Sequence, residues 1–202
     1  LSTCTSMTVS DRLSSPWLTT PECANPWDVV RYLKAGERLL LGLRPPLIQK
    51  GLGEVSFFRQ NVDYSGTGAT WGSHESYLHR TDPARFQKHL VPHLVSRLIY
   101  TGSGGFDSRH PGLRFVLSPR VPHLDVEISG DSTHVRGILH TKDESLSAAG
   151  YHRLHLLCSE SLFSERALFL RYGVTALVVA LIEAGLQPGA GVPLPQPLHA
   201  MR

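Results

Sequence analysis

Residues 71–78, with the sequence WGSHESYL, constrain the fold of this chain more than any other stretch. A glycine precedes a strand-like run in which side chains alternate between two faces. This alternation places His74 and Ser76 on one face and Glu75 and Tyr77 on the other. A neutral imidazole beside a hydroxyl suits a hard cation or a phosphate group. The alternative interpretation is a core histidine with a hydrogen-bonded carboxylate on the opposite face.

Further strands are predicted where apolar and polar residues alternate over short runs. The strictest alternation occupies residues 151–157 and places Tyr151, Arg153 and His155 on one face. The glycine-rich residues 102–112 lack the spacing of a phosphate-binding loop, so a hairpin is predicted there. The other predicted strands are residues 6–11, 54–60, 114–117, 123–128 and 136–141. Residues 114–117 and 123–128 are expected to pair with each other.

Two helices are predicted from their capping residues. Asn25 caps the first, Pro26 suits its first turn, and the helix ends near Pro45. Asp82 opens the second, which is expected to run to about Leu90 and to break or kink at Pro92.

The longest predicted helix covers residues 164–184 and stops at Gly185. Its expected core-facing stripe is Leu170, Val174, Leu177, Val178 and Leu181. Strands interleaved with a few helices predict an α+β domain over residues 1–186, followed by an irregular Pro/Gly-rich tail over residues 187–202.

Composition excludes several classes of protein. The net charge is only +3 without a long basic run, which argues against nucleic-acid binding. The longest apolar stretch, residues 174–182, is too short to span a membrane. Three widely spaced cysteines and the lack of a visible secretory signal favour a reducing cytoplasm. The histidine pairs His89/His93 and His152/His155 do not make a convincing zinc site, because Pro92 interrupts the first and the second lies in a strand.

The strand motif and the turn before it resemble a known family, the Pup ligases and Pup deamidases (depupylases) that act as proteasome accessory factors. The family pattern reads Asn-x-Asp, then Gly-x-His-Glu-Asn-Tyr-Leu, and this chain departs from it at Ser76. The matching residues are Asn61, Asp63, Gly66, Gly72, His74, Glu75, Tyr77 and Leu78.

The resemblance is collinear from about Val9 to the C-terminus. Arg97 with the turn at 101–104 is similar to a family strand and glycine turn, and residues 115–120 are similar to a strand that carries an arginine. Residues 140–144, 151–155 and 173–185 follow the family order as well. A glutamine-synthetase-like carboxylate-amine ligase fold is implied, with a curved antiparallel sheet backed by helices and an active site on its concave face.

The resemblance also implies a site that uses ATP and Mg²⁺ and that acts on a small Pup-like protein modifier and its protein targets. Arg120 and Arg153 are similar to the family's phosphate-side arginines, and guanidinium groups suit phosphate oxygens. His74, Glu75 and His155 are expected to line the same nucleotide pocket. The expected metal ligands are His74 and Glu22, and the expected substrate contacts are Asn61, Asp63 and Ser76.

Asp11 falls where the family has its catalytic aspartate, proposed as a base in the ligases and as a nucleophile in the depupylases. A carboxylate can serve either role when its neighbours tune it. A simple turn residue before Leu13 is the alternative.

Some departures weaken the enzyme interpretation. Trp17 stands where the family has a metal-binding glutamate, Ser15 stands in place of a histidine, and the family's first Gly-x-Glu-x-Glu strand is absent. An indole offers no oxygen to Mg²⁺, so weak Mg-ATP binding is expected. Two hypotheses result: an enzyme that forms or cleaves an isopeptide bond, which is favoured, and a non-catalytic relative or fragment that keeps a peptide-binding groove. The sequence leaves ligase and depupylase unresolved.

Overall fold

A computed structural model describes residues 2–6, 17–131, 134–141 and 150–202, with side chains described from Leu18 onward except that of Arg85. The predicted residues Asp11 and Ser15, most of the predicted strand 6–11, residues 142–144 and the side chain of Trp17 lie outside the described part. The strands are β1 Ser2–Ser6, β2 Trp17–Glu22, β3 Ser73–His79, β4 Gly105–Phe106, β5 Phe115–Val116, β6 Val126–Ser129, β7 Gly137–His140 and β8 His152–Ser159. The helices are α1 Pro26–Gly42, α2 Arg44–Gln49, α3 Pro83–Ser96, α4 Leu98–Thr101, α5 Glu165–Glu183 and α6 Pro197–Met201, with a 3₁₀ turn at Val121–His123.

Six strands form the main sheet in the order β2-β1-β3-β8-β7-β6, and β4 pairs with β5 in a separate hairpin. Every neighbouring pair in the main sheet is antiparallel except β6–β7, which is parallel. The predicted mixture of strands and helices is therefore confirmed, and the parallel pair at one edge makes the sheet mixed rather than purely antiparallel.

One face of the sheet packs against α1, α3 and α5. Tyr77 of β3 and Leu156 of β8 lie on this face and belong to one core cluster with Leu33 of α1 and Leu94 of α3. Because side chains on a strand alternate, the neighbours of Tyr77 and Leu156 in sequence point to the opposite face.

Helix starts follow the predicted chemistry. The Asn25 side chain accepts a hydrogen bond from the backbone N–H of Asp28 at 3.0 Å, and the Asp82 side chain accepts one from Ala84 at 2.9 Å. Helix α3 nevertheless continues past Pro92 to Ser96. The completely buried leucines of α3 keep the chain helical here, although Pro92 cannot donate a backbone hydrogen bond.

Two predicted strand assignments are wrong. Residues 54–60 have no regular secondary structure. Val126–Ser129 pairs with β7 rather than with Phe115–Val116, which pairs with β4. The 3₁₀ turn at Val121–His123 separates the two segments and redirects the chain, so they cannot form a hairpin.

The predicted apolar stripe of α5 is also largely wrong. Leu170, Leu177 and Leu181 are exposed, whereas Arg171 and Thr175 are completely buried. The buried face of this helix is polar at its centre because it contributes to an ion-pair network beneath the sheet.

Glu75 is the centre of that network. Arg97, between α3 and α4, donates to both carboxylate oxygens of Glu75, at 2.8 Å from Nη2 and 3.1 Å from Nη1. Ser159 and Tyr77 donate hydroxyl hydrogen bonds to the same carboxylate at 2.6 and 2.7 Å. The Arg171 Nε atom lies 3.8 Å from Glu75 Oε1. Two helices and two strands therefore meet at one carboxylate, and Arg97 is part of a helix junction rather than of the strand that the sequence implied.

The end of the chain is less irregular than predicted. Pro197–Met201 form α6, and Met201 belongs to the core cluster. The Arg202 guanidinium donates to the backbone carbonyl of Leu124 at 2.9 Å. The last residues therefore pack on the same core as the rest of the domain.

Glu75→Gln should lower the free energy of unfolding by about 3–5 kcal/mol, because it leaves two buried arginines without their counter-charge. Chemical denaturation at neutral pH measures this, with the exposed Glu54→Gln as the control. Equal stability of both variants would contradict the proposed network.

The difference in stability between the native protein and Glu75→Gln should also depend on pH. Burial alone would raise the pKa of Glu75, but the charges and hydrogen bonds of Arg97 and Arg171 outweigh burial and lower the pKa from 4.5 to about 2. A depressed carboxylate pKa contributes stability above pH 4.5 that is lost as the pH falls towards 2. The stability gap between the native protein and Glu75→Gln should therefore narrow over that range.

Candidate functional site

The face of the sheet opposite the helices carries a compact polar group on its three central strands. This histidine–arginine face consists of His74 and Ser76 on β3, Arg153 and His155 on β8, and His140 on β7. His155 Nε2 lies 3.1 Å from His74 Nδ1, and Arg153 Nε donates to Ser76 Oγ at 3.0 Å. His74 therefore lies on a strand beside His155, on the face that the alternation predicts.

The imidazoles on this face form a row across three strands. The ring centroids of His74 and His155 are 5.0 Å apart, and those of His140 and His155 are 5.6 Å apart. Burial lowers the pKa of His155 to about 3, and the neighbouring His74 and Arg153 add to the shift. His155 is therefore neutral at physiological pH and can offer one donor and one acceptor, while Arg153 supplies the positive charge on this part of the face.

Arg120 reaches the same region from the turn before the 3₁₀ helix, not from a strand as the sequence implied. An ideal Cβ placed on Gly72 would lie 3.3 Å from Arg120 Nη2 and 3.5 Å from His74 Cδ2. The missing side chain of Gly72 thus leaves room for the guanidinium to lie against the start of β3 beside His74. Arg120 Nη1 donates to Thr70 Oγ1 at 2.7 Å.

The Arg120 side chain is 2% exposed, and its Nε has no hydrogen-bond partner among the described residues. Burial lowers the pKa of Arg120 to about 10, and the nearby positive charge of Arg136 adds to the shift. The group stays protonated at neutral pH. A buried cation with an unused donor is suited to an anion, and the planar guanidinium matches phosphate oxygens.

Glu75 does not belong to this site. It lies on the helix-facing side of β3, is completely buried, and has both oxygens occupied by Arg97, Ser159 and Tyr77. The expectation that Glu75 contacts a nucleotide is therefore corrected. Glu75 stabilises β3 from the core side of the sheet, and it is the hydrogen-bonded carboxylate that the alternative interpretation predicts.

Two of the three residues expected to contact a substrate, Asn61 and Asp63, build the loop that leads to β3. Asn61 Nδ2 donates to the Trp71 carbonyl, and its Oδ1 accepts from the Ser161 N–H, both at 2.7 Å. Asp63 accepts from the Ser65 N–H at 2.8 Å and from the hydroxyls of Ser65 and Thr67. These hydrogen bonds lower the pKa of Asp63. Asn61 is buried and its side chain is bonded within the loop, whereas Asp63 at the tip is partly exposed.

Glu160 has a positioning role that the sequence analysis missed. It is completely buried and accepts hydrogen bonds from Ser118 Oγ at 2.5 Å and from the Arg120 N–H at 3.1 Å. It therefore fixes the turn from which Arg120 extends. Glu160 lies three residues beyond the predicted strand 151–157, and a glutamate near a strand end is a usable signal because its side chain can cap a neighbouring loop.

Glu22 is exposed at the end of β2, on the same face as Ser76, because both residues pair with Ser2 of β1. Two strand spacings, about 10 Å, separate Glu22 from β3. The described residues contain no group of three or more histidine, cysteine, aspartate or glutamate side chains arranged to hold a metal ion. The central strands β3, β7 and β8 place no carboxylate on this face.

Comparison with solved structures identifies the fold class. The chain matches the Pup ligase PafA in complex with ADP with a TM-score of 0.75 and 29% identity, over 96% of this chain and 43% of that one. It also matches PafA from the complex with the prokaryotic ubiquitin-like protein Pup, with a TM-score of 0.74 and 27% identity, over 95% and 40% of the two chains.

Sequence comparison identifies the family. The model described as Pup-ligase protein matches residues 9–202. A Pup deamidase/depupylase of Mycolicibacterium smegmatis is 37% identical over 194 residues, covering 92% of this chain and 38% of that protein. A Pup–protein ligase of Sanguibacter keddieii is 34% identical over 197 residues, covering 94% and 43%. The chain belongs to the Pup ligase family, and it spans about two fifths of the length of these relatives.

Within the described ranges, the helices are all too short or too polar to cross a membrane.

The imidazole of His155 should remain neutral well below pH 6.5. Proton chemical shifts of the histidine rings, recorded from pH 8 to pH 4 and assigned with His155→Gln, should show no titration of His155 in this range. As the pH falls from 6.5 towards 3, the unfolded chain takes up a proton that the folded imidazole does not, so this residue makes the fold less stable. A midpoint near 6.5 would contradict the buried, neutral assignment.

Proposed function

We propose that this chain forms the site-bearing part of an ATP- and Mg²⁺-dependent enzyme of the Pup ligase or depupylase type. Such an enzyme forms or cleaves an isopeptide bond between the C-terminal glutamate of a small protein modifier and a lysine of a target protein. The observation that carries the proposal is that Arg120, near the start of β3, and Arg153 of β8 both lie on the face of the sheet that carries His74, in a chain of this family.

Nucleotide phosphates fit this face. Arg120 has an unused buried donor, Arg153 adds a second guanidinium, and Ser76 and the neutral imidazoles can complete the hydrogen bonding. The solved PafA structure with ADP supports the choice of nucleotide. A bound ATP would supply the phosphoryl group that turns a carboxylate into an acyl phosphate. An amine could then attack the acyl carbon, form the amide bond and release inorganic phosphate. The role of the arginines is to orient the phosphates and to balance their charge.

Mg²⁺ fits the described residues less well. The ion requires oxygen ligands, and Glu22 stands two strands away from His74, which offers only nitrogen. Glu22 and His74 remain the proposed metal ligands.

Asp11 is the proposed base or nucleophile. As a base, its carboxylate would take the proton of an attacking lysine amine. As a nucleophile, it would attack the carbonyl carbon of the isopeptide bond, break the C–N bond and release the protonated lysine amine. Water would then hydrolyse the resulting anhydride, which frees the modifier and restores the aspartate. Relatives of both names match this chain at similar identity, so the direction of the reaction is a matter for an activity measurement.

The proposed partners are a Pup-like modifier and its lysine-bearing targets, supported by the match to a ligase solved with Pup. The partly exposed Asp63 and the Arg153-bound Ser76 are the proposed substrate contacts, and Asn61 holds the loop that carries Asp63. A cytoplasmic location is proposed as well, because the described Cys23 and Cys158 are both free thiols.

Asp11→Asn should remove most turnover on a modifier–lysine substrate while leaving ADP affinity nearly unchanged. The amide keeps the size of the side chain but can act neither as a base nor as a nucleophile. Turnover and calorimetric ADP affinity are measured on the same preparation. Wild-type turnover of Asp11→Asn would overturn its catalytic assignment.

Arg153→Ala should show the opposite pattern and weaken ADP binding first. Loss of a charged hydrogen bond of about 1.5–3 kcal/mol corresponds to roughly a 10- to 100-fold weaker affinity. Arg153→Lys should recover part of the loss, and the exposed Arg114→Ala of the hairpin should behave like the native chain. Unchanged ADP affinity of Arg153→Ala would contradict the proposal that the nucleotide phosphates bind on this face.

A further inference from the structure

The guanidinium group of Arg120 has a support of its own, separate from the one that Glu160 gives to the backbone. Glu160 accepts the Arg120 backbone N–H and so fixes where the side chain begins. Several rotatable bonds separate that point from the guanidinium. Among the described residues, the side chain that holds the guanidinium is Thr70, whose Oγ1 accepts from Arg120 Nη1 at 2.7 Å. The direction of the cation therefore depends on Thr70.

The Thr70 hydroxyl is oriented as an acceptor for Arg120. Its Oγ1 also donates to the backbone carbonyl of Asn61 at 2.7 Å. A hydroxyl has one proton and two lone pairs, so the proton is used by the carbonyl and a lone pair faces the guanidinium. Thr70 can therefore hold a cation at this position without having to rotate its hydroxyl first.

The backbone that carries Thr70 is fixed as well. Thr70 forms an antiparallel bridge with Val62, and the Trp71 N–H donates to the Asn61 carbonyl at 2.9 Å. The Asn61 side chain closes the same loop by donating to the Trp71 carbonyl at 2.7 Å. Thr70 is thus a rigid anchor, because it cannot move away from Arg120 without breaking several of these hydrogen bonds.

The anchor leaves one edge of the Arg120 guanidinium for a ligand. Nη1 is bound to Thr70, whereas Nε has no hydrogen-bond partner and Nη2 makes no hydrogen bond within the described ranges. Nη2 lies beside Gly72, at the start of β3 and next to His74. Because Nε and Nη2 lie on the same edge of a planar group, their N–H groups match a pair of phosphate oxygens.

We propose that Thr70 is a positioning residue of the phosphate site, which anchors Arg120 Nη1 so that the Nε–Nη2 edge receives the phosphate oxygens. The inference rests on the function proposed above, since it requires a nucleotide on the histidine–arginine face. Thr70 itself does not touch the phosphate in this arrangement. Its contribution is to orient the cation before the ligand arrives, which lowers the cost of ordering that side chain on binding.

The test compares two substitutions of Thr70 by calorimetry with ADP. Thr70→Val keeps the size and branching of the side chain but removes the hydroxyl, and it should weaken ADP binding about tenfold, the scale of one hydrogen bond to a charged group. Thr70→Ser keeps the hydroxyl and should bind ADP with nearly native affinity. Recovery by serine is a result that a merely space-filling role of Thr70 would not give.

Thr101→Val is the matched control. The Thr101 hydroxyl also donates to a backbone carbonyl, that of Arg97 at 2.8 Å, but it does not contact Arg120. Thr101→Val should therefore lower the midpoint of chemical denaturation, as Thr70→Val does, and leave the ADP affinity unchanged.

A double-mutant cycle tests whether Thr70 acts through Arg120. In a chain that carries Arg120→Gln, the cation is already lost, so adding Thr70→Val should weaken ADP binding no further. Nuclear magnetic resonance provides a second readout, because the Arg120 Nε–H signal should shift when ADP binds to the native chain. The same shift should be much smaller in Thr70→Val.

The possible failures are distinguishable. Native-level ADP affinity of Thr70→Val, beside weakened binding by Arg120→Gln, would overturn the positioning role and leave the proposed function intact. Additive losses in the double variant would also overturn the positioning role, because Thr70 would then act through another group. Absence of ADP binding by the native chain would instead overturn the proposed nucleotide site, and the inference with it.

Discussion

The buried contact between Glu75 and Arg97 determines how the rest of the domain is arranged. A charged side chain that is buried away from water requires a close partner of opposite charge. Removal of one partner strongly destabilises the fold, because the other charge stays buried and unpaired. The two-pronged bond from Arg97, the hydroxyls of Ser159 and Tyr77, and the second charge of Arg171 together meet that requirement. Because these groups come from β3, β8, α5 and the junction after α3, their pairing fixes the register of the central strands against the helices.

This arrangement gives β3 two different faces. The side that carries Glu75 and Tyr77 packs in the core, so His74 and Ser76 lie on the opposite face of the strand with little freedom to shift. Glu160 fixes the neighbouring turn in the same way and sets Arg120 beside His74. The polar groups of the sheet face are thus held by buried carboxylates behind and beside them, which is the preorganisation that a phosphate site needs.

The sequence predicts the parts of the fold that depend on local rules. Alternation located β3 and β8 and assigned their faces, and Asn25 and Asp82 located two helix starts, because strand geometry and capping act over a few residues. The buried face of α5 escaped prediction because a hydrophobic stripe assumes that the core is apolar, and here Arg171 and Thr175 take the inner positions. Arg120 was expected on a strand and arrives instead from a turn, since its position depends on Glu160, forty residues away in sequence.

The division of β3 into a core face and a nucleotide face is tested most directly by nuclear magnetic resonance on the isotopically labelled chain with saturating ADP. Signals of His74, Arg120 and Arg153 should change, while those of Tyr77 and Arg97, on the far side of the same strand, should stay nearly constant. Changes centred on the core face, or no change at all, would contradict the assignment of the histidine–arginine face as the nucleotide site.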